Sequence, residues 1–486
     1  MPTDRHSADD TDHNQSTSGE QSSHNTTATV IPEVDSDSSE TSAASSSRPS
    51  HSQRPANSQS RNVEESAKAE APEDSEVFEG PQGSEDSQRS ADTADTSESK
   101  EGKDQQKLKK LPTWSLAILA IGALYMLLVA IGVIGDGFKE MGSDTAKGLF
   151  DFATNPFIAL FVGILATSII QSSSTTTAIV VTMVAAGAVP MEVAIPMVMG
   201  ANIGTSVTNT LASLGHAGKD NEFKRAITAA TVHDYFNLFA VIILLPIELI
   251  FHPIQHSAQW LSNALYGNVL PNPEEADFLG IVTDPVVEAI GPKGLLGNLP
   301  GSNVVVGAVT ILLGVVMIFL AVRWLGKILQ LIVVGRAKKL LEKSIGGNPM
   351  VAMGAGAAVT VAAQSSSVTT SVMIPFAGSG ALTPRQIYPM TLSANVGTTV
   401  TTIIAAMAVT GGGGEAALTI AFVHLLFNVF GIAIIYGIPF LRPIPLRCAE
   451  LLAKVAAQRK YIAIAWVLGV FIILPTAMIF AKVVFF

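Results

Sequence analysis

Two short polar runs interrupt the most apolar parts of this 486-residue sequence. Residues 171–177 are QSSSTTT, and residues 364–370 are QSSSVTT. Their hydroxyl and amide oxygens are hard neutral ligands, the kind that suit an alkali cation. Where such a run opens a helix, the free N–H groups and the helix dipole suit an oxyanion. The two runs therefore predict a site for a cation and an anion together, because such a pair leaves less net charge to bury.

A structural explanation competes with this one, because small and hydroxyl residues in membrane helices often serve only close packing. For a single run we would favour packing. The second run stands in a matching place in the chain and repeats all four residues of Q-S-S-S. Two matching copies favour binding.

The two runs belong to an internal repeat. With a shift of 193 residues, 171–205 and 364–398 share 14 identities in 35 positions, too many for chance. The match includes ANIGT (201–205) against ANVGT (394–398). With a two-residue gap, HDYFNLF (233–239) also matches HLLFNVF (424–430). We therefore expect two structurally equivalent halves.

Apolar runs of about 20 residues, long enough to cross a bilayer, predict an all-α polytopic membrane protein. Lys and Arg concentrate on cytoplasmic loops, so the basic stretch 103–110 predicts a cytoplasmic N-terminus and the acidic loops 136–151 and 252–302 predict external segments. The basic stretches 323–348 and 446–460 predict amphipathic helices on the inner membrane surface, and the C-terminus is expected to be extracellular. The predicted spans are 114–135, 226–251, 303–322, 416–436 and 461–484.

The loop charges also orient the two copies. The first copy is entered from outside and the second from inside, so the repeats are predicted to be inverted. Inverted repeats with interrupted helices are typical of secondary transporters, whose site lies near the membrane midplane. The 14 residues before Gln171 span only about 21 Å of a core about 30 Å thick. We therefore predict two re-entrant hairpins with tips at Gly187–Pro190 and Gly378–Pro384, followed by broken elements at Asn202–Gly204 and Asn395–Gly397.

The predicted organisation has seven parts. Residues 1–100 carry 21 acidic and 7 basic residues and almost no apolar ones, which predicts disorder. The first ten residues lack an apolar segment, so no cleavable signal peptide is expected. The parts are an acidic Ser-rich cytoplasmic tail (1–110), a transmembrane helix (111–136), transport repeat 1 (145–251), an extracellular loop (252–302), a transmembrane helix with an amphipathic helix (303–346), transport repeat 2 (347–440), and an amphipathic helix with the last transmembrane helix (441–486).

Asp234 is a carboxylate inside a predicted span, and its counterpart in the second copy is Leu425. Intramembrane acids are unfavourable and usually functional. As an extra cation ligand, Asp234 would add one moved charge, worth about 2.3 kcal/mol per 100 mV. His233 and His424 each precede an asparagine by four residues. Interhelical hydrogen bonding and ligation both remain open for these histidines.

The quoted motifs resemble those of the type II sodium-dependent inorganic phosphate cotransporters over roughly 113–484. The resemblance implies sodium-coupled symport of phosphate across the plasma membrane, by alternating access around a midplane site between two re-entrant hairpins. It also implies that Asp234 accompanies electrogenic transport, with several sodium ions per divalent phosphate. The external loop has no cysteine, because Cys448 is the only one in the chain, so the disulfide of animal members is not expected.

The site residues implied by the resemblance fall into two groups. A serine is often found where Ala394 stands, so Ser393 or a carbonyl is expected to replace that hydroxyl. Asn428 also favours a functional role, as the counterpart of Asn237. The implied phosphate ligands are Gln171, Ser172, Ser173, Ser174, Ser366, Ser367, Asn202 and Thr205. The implied sodium ligands are Gln364, Ser365, Thr398, Thr401, Asn395, Asn237 and Asp234.

Other functions remain open from the sequence. A symporter of another oxyanion (sulfate, arsenate or a dicarboxylate), or one coupled to protons through Asp234, would use the same architecture. An ATP-driven pump or membrane enzyme would need a Gly-x4-Gly-Lys-Ser/Thr loop, which this sequence lacks. A phosphate sensor or scaffold acting through the tail is a further alternative. We expect sodium as the coupling ion, membrane lipid as a partner, no organic cofactor and no nucleic acid, and an oligomeric state that is open, a dimer included.

Overall fold

The computed structural model describes residues 111–142, 145, 148, 155–268, 278–344, 348–409 and 413–485. Within these ranges the regular structure is helical, with no strand. The predicted acidic tail (1–110) lies outside the described residues, as do parts of the two predicted external loops. The all-α class predicted from the sequence is confirmed.

Six of the described helices are long and apolar enough to cross a membrane, which makes the chain a multi-pass membrane protein. Five of them contain the five predicted spans, and Pro384–Met407 was not predicted. Its mean hydropathy is only 1.2, and 72% of its most apolar window is buried inside the protein. Its polar residues therefore face protein rather than lipid. Because they lower its mean hydropathy, hydropathy alone does not identify this helix as a span. The other five are Trp114–Met141, Asp220–Phe251, Asn303–Leu329, Gly414–Tyr436 and Tyr461–Phe485.

One helix precedes the first repeat, and five helices form it. They are α1 (Thr113–Met141), followed by α2 (Pro156–Ile170), α3 (Ser173–Ala185), α4 (Met191–Gly204), α5 (Val207–Leu214) and α6 (Asp220–Phe251).

Three helices connect the repeats, four form the second repeat, and three follow it. A 3₁₀ turn at Leu296–Asn298 precedes α9, and π-helical segments extend α13 and join α15 to α16. These helices are α7 (Pro253–Asn268), α8 (Phe278–Ile290), α9 (Asn303–Ser344), α10 (Pro349–Ala363), α11 (Ser366–Ser379), α12 (Pro384–Met407), α13 (Gly414–Gly431), α14 (Pro443–Gln458), α15 (Tyr461–Val467) and α16 (Leu474–Phe485).

Each Q-S-S-S run forms a two-residue junction between helices, because its glutamine ends one helix and its first serine begins the next. Gln171 has φ 59° and Gln364 has φ 51°, the left-handed conformation that terminates helices. The serine that follows is extended and caps the next helix. The Ser172 hydroxyl accepts from the Thr175 amide at 3.2 Å, and the Ser365 hydroxyl accepts from the Val368 amide at 3.3 Å.

This geometry corrects the predicted hairpin tips. Gly187–Pro190 and Gly378–Pro384 were expected at the tips, but they connect α3 to α4 and α11 to α12, and Gly378 itself lies inside α11. The sharp junctions are at the glutamines instead. A left-handed residue followed by an extended capping serine changes the chain direction within two residues, without a Gly-Pro turn.

Close glycine contacts fix α2 against α4. A β carbon on Gly163 would lie 2.1 Å from the Met197 carbonyl oxygen, and one on Gly204 would lie 2.6 Å from the Ile164 carbonyl oxygen. The contacting positions advance together along both helices, so α2 and α4 run in parallel. The equivalent helices of the second repeat, α10 and α12, make the same contact, because a β carbon on Gly356 would lie 2.4 Å from the Met390 carbonyl oxygen. In both repeats the two helices that pack together come directly before and directly after a middle helix in the chain, α3 in the first repeat and α11 in the second.

Only one of the two predicted broken elements is broken. In the first repeat, α4 ends at Gly204 and α5 begins at Val207, with a tight turn in which the Ser206 amide donates to the Ile203 carbonyl at 3.1 Å. In the second repeat, α12 continues unbroken through Asn395–Gly397, so that prediction was wrong. Thr399, the counterpart of Ser206, turns its hydroxyl back to the Val396 carbonyl of its own helix at 2.7 Å.

The predicted basic helix 446–460 corresponds to α14, which packs on α6. Ala453 and Ala456 are buried in a cluster with Phe223 and Ile227 at the start of α6. The Lys460 ammonium lies 3.4 Å from an oxygen of Asp220. The face of α14 that carries these alanines therefore packs against protein.

Candidate functional site

Both Q-S-S-S turns open into one cavity of about 280 Å³, here called the QSSS cavity. Its walls are the first turn, the second turn and a segment of α9. Among the residues that the structure describes, no aspartate or glutamate lines it. The structure thus brings together eight predicted site residues: Gln171, Ser172, Ser173, Ser174, Gln364, Ser365, Ser366 and Ser367.

The two helices that begin at this cavity turn their N-terminal ends toward it. α3 starts at Ser173 and α11 starts at Ser366, and both residues are buried. Helix N-termini present free N–H groups and a partial positive charge. The cavity therefore combines neutral oxygens with two partly positive helix ends, an arrangement that suits an oxyanion.

Each glutamine of the turns is held by a threonine from an equivalent helix position. The Gln171 side-chain oxygen accepts from the Thr208 hydroxyl at 2.7 Å. The Gln364 side-chain oxygen accepts from the Thr401 hydroxyl. Thr208 and Thr401 are 193 residues apart, so the repeat is preserved in the contacts. The second contact brings together two predicted sodium ligands, and a third, Thr398, is buried one turn earlier on α12.

A buried group of asparagines and histidines connects the two repeats. His233 Nε2 lies 2.7 Å from Asn395 Oδ1, and the Asn395 side-chain amide donates to Asn237 Oδ1 at 2.7 Å. The Asn237 amide donates to the Asn202 carbonyl at 2.9 Å. Asn202, Asn237 and Asn395 are thus brought together, away from the lining of the QSSS cavity. Thr205 does not line that cavity either, and its hydroxyl bonds its own helix at the Ala201 carbonyl at 3.0 Å.

Contacts between the repeats come in exchanged pairs. Asn395 of the second repeat bonds Asn237 of the first, and Asn428 of the second bonds Asn202 of the first at 3.3 Å. The hydroxyls of Thr177 and Thr402 lie 2.9 Å apart, and the Thr370 hydroxyl donates to Asn209 Oδ1 at 2.6 Å. In each pair the two partners come from the same repeat positions with the copies swapped. This is the pattern that a two-fold relation between the repeats produces.

The hydrogen bonds of this buried polar group are less complete around the second repeat's His424 and Asn428 than around the first repeat's His233 and Asn237. His424 Nε2 and Asn428 Oδ1 are buried and have no hydrogen-bond partner among the described residues. Their counterparts His233 and Asn237 are both bonded by Asn395, whereas Asn202 donates its side-chain amide to the Val198 carbonyl at 3.0 Å. Burying an unpaired polar group is unfavourable by about 1–3 kcal/mol. These atoms are therefore candidates to bind an ion.

The hydrogen bonds of Asp234 are to residues other than the predicted sodium ligands. Its Oδ2 accepts from the Trp466 indole N–H at 3.0 Å and from the Thr210 hydroxyl at 3.2 Å. Its Oδ1 is buried without a partner among the described residues. The structure does not bring Asp234 into the QSSS cavity.

Ser393 and the Ala394 carbonyl, the two expected replacements for the missing serine at Ala394, both make hydrogen bonds along α12. The Ser393 hydroxyl donates to the Met390 carbonyl at 3.0 Å and faces Gly356 of α10. The Ala394 carbonyl already accepts from Thr398 at 3.1 Å. In the part of the chain that the structure describes, no group of three or more His, Cys, Asp or Glu residues could hold a metal ion.

Sequence reasoning missed several residues around the site. Arg323 and Lys327 of α9 line the QSSS cavity, although their basic stretch was assigned to the membrane surface. Their spacing of four residues, directly after an apolar span, was the available signal. Thr208 could have been found from the repeat, as the counterpart of Thr401. No sequence signal pointed to Trp466.

Comparisons with known proteins identify a family and several relatives by sequence. The chain matches the family described as Na⁺/Pi-cotransporter over residues 126–266 and 317–439, together more than half of its length. It is 29% identical over 444 residues to the sodium-dependent phosphate transport protein 2B of Homo sapiens, covering 74% of this chain and 64% of that protein. It is 31% identical over 424 residues to the protein 2A of Rattus norvegicus, covering 74% and 66%. The chain thus spans slightly less than two thirds of the length of these curated relatives. No solved structure matches it.

Proposed function

The chain belongs to the Na⁺/Pi-cotransporter family, and on that premise we propose that it couples sodium movement to the transport of inorganic phosphate. The observation that carries the proposal is the meeting of both Q-S-S-S turns in one cavity whose described lining contains no acidic residue. Carboxylates would repel an anionic substrate. Neutral oxygens beside helix N-termini accommodate both an alkali cation and an oxyanion.

We place phosphate in the QSSS cavity. Its ligands would be the side chains of Gln171 and of serines 172–174 and 366–367, with the backbone N–H groups at the starts of α3 and α11. Two of the residues that the sequence assigned to phosphate, Asn202 and Thr205, do not line this cavity. For Asn202, whose side-chain oxygen accepts from the Asn428 amide at 3.3 Å, we propose a role in holding the repeats together.

We place sodium at two oxygen clusters. The first is Gln364, Ser365, Thr398 and Thr401, supported by the hydrogen bond between Gln364 and Thr401. The second lies among the interlocked asparagines, with Asn237 and Asn395 as ligands and the unpaired Asn428 oxygen as an addition. Both clusters are uncharged, so a bound sodium ion would retain its charge to balance the phosphate.

Asp234 is the proposed basis of electrogenic transport. Its unpaired buried oxygen supports a role as ligand to a further sodium ion. Several sodium ions moving with one divalent phosphate would then carry net positive charge across the membrane. We propose that this transport takes place in the plasma membrane, with the cytoplasmic N-terminus and extracellular C-terminus that the loop charges predict.

The direct test is uptake of radiolabelled phosphate into proteoliposomes that contain the purified full chain. We expect uptake under an inward sodium gradient and little uptake under an equal potassium gradient. Uptake that does not respond to sodium would refute the coupling. Sulfate, arsenate and a dicarboxylate are added as competitors, and stronger inhibition by one of them than by unlabelled phosphate would assign the site to another oxyanion.

A further inference from the structure

Trp466 brings a helix from outside both repeats to the buried carboxylate of Asp234. Its indole N–H donates to Asp234 Oδ2 at 3.0 Å, and the Thr210 hydroxyl donates to the same oxygen at 3.2 Å. The other oxygen, Oδ1, is buried and has no partner among the described residues. We infer that Trp466 is a positioning residue for sodium, because it holds the Asp234 carboxylate with Oδ1 left to bind the ion. This inference rests on the proposed function, in which Asp234 binds a further sodium ion.

The two donors fix the direction of the carboxylate because both bind one oxygen. Thr210 lies on α5 and Trp466 on α15, so the donors reach Oδ2 from two separate helices. Hydrogen bonds to an ionised carboxylate are charge-assisted and stronger than bonds between neutral groups. Any rotation of the carboxylate short of a half turn would lengthen both contacts. The two donors therefore set the plane of the carboxylate and the direction in which its unpaired oxygen points.

The indole of Trp466 is itself held in place. Its ring lies beside that of Tyr235 on α6, with 5.0 Å between the ring centroids and 34° between the ring planes. The π-helical segment Leu468–Ile473 begins two residues after Trp466. Such segments widen one turn of a helix and are frequent at functional sites. The wider turn changes the register of the last span between Trp466, which contacts α6, and Phe471, which is fully buried in the core.

The competing explanation is structural, since a buried tryptophan N–H usually finds a hydrogen-bond partner. Two observations favour a positioning role. The last span is the least buried of the six, with 22% of its most apolar window inside the protein, so this helix offers many positions where a tryptophan would face lipid. The acceptor is a carboxylate inside a span, which is unfavourable and usually functional. A contact made only to satisfy the indole would not need an ionised acceptor.

The expected consequence is a change in how often the carboxylate is ready to bind sodium. When only a fraction of the molecules has the binding geometry, the apparent Kd rises by the inverse of that fraction. Without the indole N–H, Thr210 alone would hold Oδ2, and the carboxylate would have the binding direction less often. Sodium should then bind more weakly at Asp234. The other proposed sodium cluster, around Gln364 and Thr401, makes no contact with Trp466 and should not be affected.

The test is a double-mutant cycle of Trp466→Phe and Asp234→Asn in proteoliposomes. Trp466→Phe keeps an aromatic ring and removes the N–H. The sodium concentration for half-maximal phosphate uptake is expected to rise about 10-fold, the order expected for loss of one hydrogen bond to a charged group. The ratio of current to uptake should fall. In the Asp234→Asn background, Trp466→Phe should change neither quantity, because its effect acts through the carboxylate.

Trp260→Phe is the matched control, because Trp260 lies on α7 and is 71% exposed. Its sodium dependence and its ratio of current to uptake should match those of the wild type. If Trp466→Phe also matches the wild type, or if its effect persists in full in the Asp234→Asn background, the inference is wrong while the proposed function stands. A wild type whose phosphate uptake does not respond to sodium would refute the proposed function instead.

A binding measurement without transport uses the fluorescence of Trp466. The chain has four tryptophans, and the other three are exposed. Trp114→Phe, Trp260→Phe and Trp324→Phe together leave Trp466 as the only one. In this purified variant, replacing potassium with sodium at constant ionic strength should change the emission, and adding Asp234→Asn should abolish that change.

No sodium response in this single-tryptophan variant, if its uptake still depends on sodium, would overturn the inference. Because the variant retains Trp466, this result decides the question even if Trp466→Phe does not fold.

Discussion

At the scale of single residues, Asp234 gives the clearest functional prediction. It is 2% exposed, and one of its carboxylate oxygens is bonded by Trp466 and Thr210 while the other is unpaired among the described residues. A buried carboxylate with one committed oxygen and one unpaired oxygen is suited to ligate a cation. Its counterpart Leu425 offers no such group, so under the proposed function only the first repeat would supply a charged ligand.

Replacing Asp234→Asn keeps the hydrogen-bond acceptor and removes the charge. We expect phosphate uptake to continue under a sodium gradient, while the current that accompanies uptake falls to a small fraction of the wild-type value. Current and uptake are measured on the same proteoliposomes.

Glu248→Gln is the matched control, because Glu248 is another buried acid, whose oxygens accept from the amides of Ile254 and Gln255 at 2.7 and 2.9 Å. The Glu248→Gln variant should have a lower free energy of unfolding than the wild type, and the same ratio of current to uptake. An Asp234→Asn variant with an unchanged ratio would disprove the role in electrogenic transport.

Gln364 combines a backbone role and a side-chain role, which one pair of substitutions separates. Its backbone is left-handed, which glycine adopts more easily than other residues do. Gln364→Gly should therefore keep or raise the melting temperature. It also removes the amide oxygen that faces Thr401, so the sodium concentration for half-maximal uptake should rise about 10-fold.

Thr391→Val tests whether any lost hydroxyl on α12 has this effect. Thr391 is buried, and its hydroxyl bonds only the Ile387 carbonyl of its own helix, at 3.1 Å. Its sodium dependence should match that of the wild type. Equal sodium dependence in Gln364→Gly and wild type would remove Gln364 from the sodium site.

At the scale of helices, local sequence rules predicted the interruptions but not all of their geometry. The Asn-Pro pairs before α2 and α10 start those helices, and the polar runs end them, as the motif spacing indicated. The hairpin tips were misplaced because glycine and proline were given more weight than a left-handed glutamine, which no propensity scale marks. The continuity of α12 was not predicted because the sequence of Asn395–Gly397 is nearly identical to that of residues 202–204, where α4 ends.

The site was predictable to the extent that it repeats in the sequence. The eight residues of the two Q-S-S-S runs were found because the motif is duplicated. Arg323, Lys327 and Trp466 come from helices outside the repeats, so the repeat could not identify them, and for Trp466 only the tertiary packing does. Asn202 and Thr205 were assigned by motif to phosphate but do not line the QSSS cavity. Asn202 contacts Asn237 and Asn428, and the Thr205 hydroxyl bonds the Ala201 carbonyl.

Two neighbouring glycines on α10 give a matched test of the close helix packing. A β carbon on Gly356 would lie 2.4 Å from the Met390 carbonyl oxygen, whereas one on Gly354 meets nothing within 4 Å. Gly356→Ala is expected to lower the free energy of unfolding by about 1–3 kcal/mol through overpacking. Gly354→Ala should be neutral or stabilise by up to about 1 kcal/mol, because alanine favours helix. Thermal melting of the two variants in detergent measures the difference, and equal melting temperatures would contradict the packing.

At the scale of the whole molecule, the two hairpins end against opposite parts of the chain. A β carbon on Gly413, before α13, would lie 2.2 Å from the Ala185 carbonyl oxygen at the end of α3. At the end of α11, the Arg225 guanidinium of α6 donates to the Gly378 carbonyl at 2.6 Å. If α1, the α4–α5 pair, α6, α9, α12 and α13 each cross once, these two ends lie on opposite sides of the membrane. That supports the inverted arrangement predicted from the loop charges.

Thiol labelling tests this inversion in a Cys448→Ala background. Ala186→Cys and Ser379→Cys occupy equivalent positions after the two hairpins. A membrane-impermeant maleimide applied to intact cells should label the first variant only. The second should react only after the cells are opened. Labelling of both variants from the same side would show that the repeats are not inverted.

In the proposed arrangement, sodium at the cluster of Gln364, Ser365, Thr398 and Thr401 binds directly beside phosphate in the QSSS cavity. Linkage requires that each ligand then strengthens the binding of the other by the same factor. The most direct measurement is calorimetric titration of phosphate into the purified full chain at several sodium concentrations, with potassium keeping the ionic strength constant. We expect the Kd for phosphate to fall as the sodium concentration rises. A Kd that stays the same from no sodium to saturating sodium would contradict it.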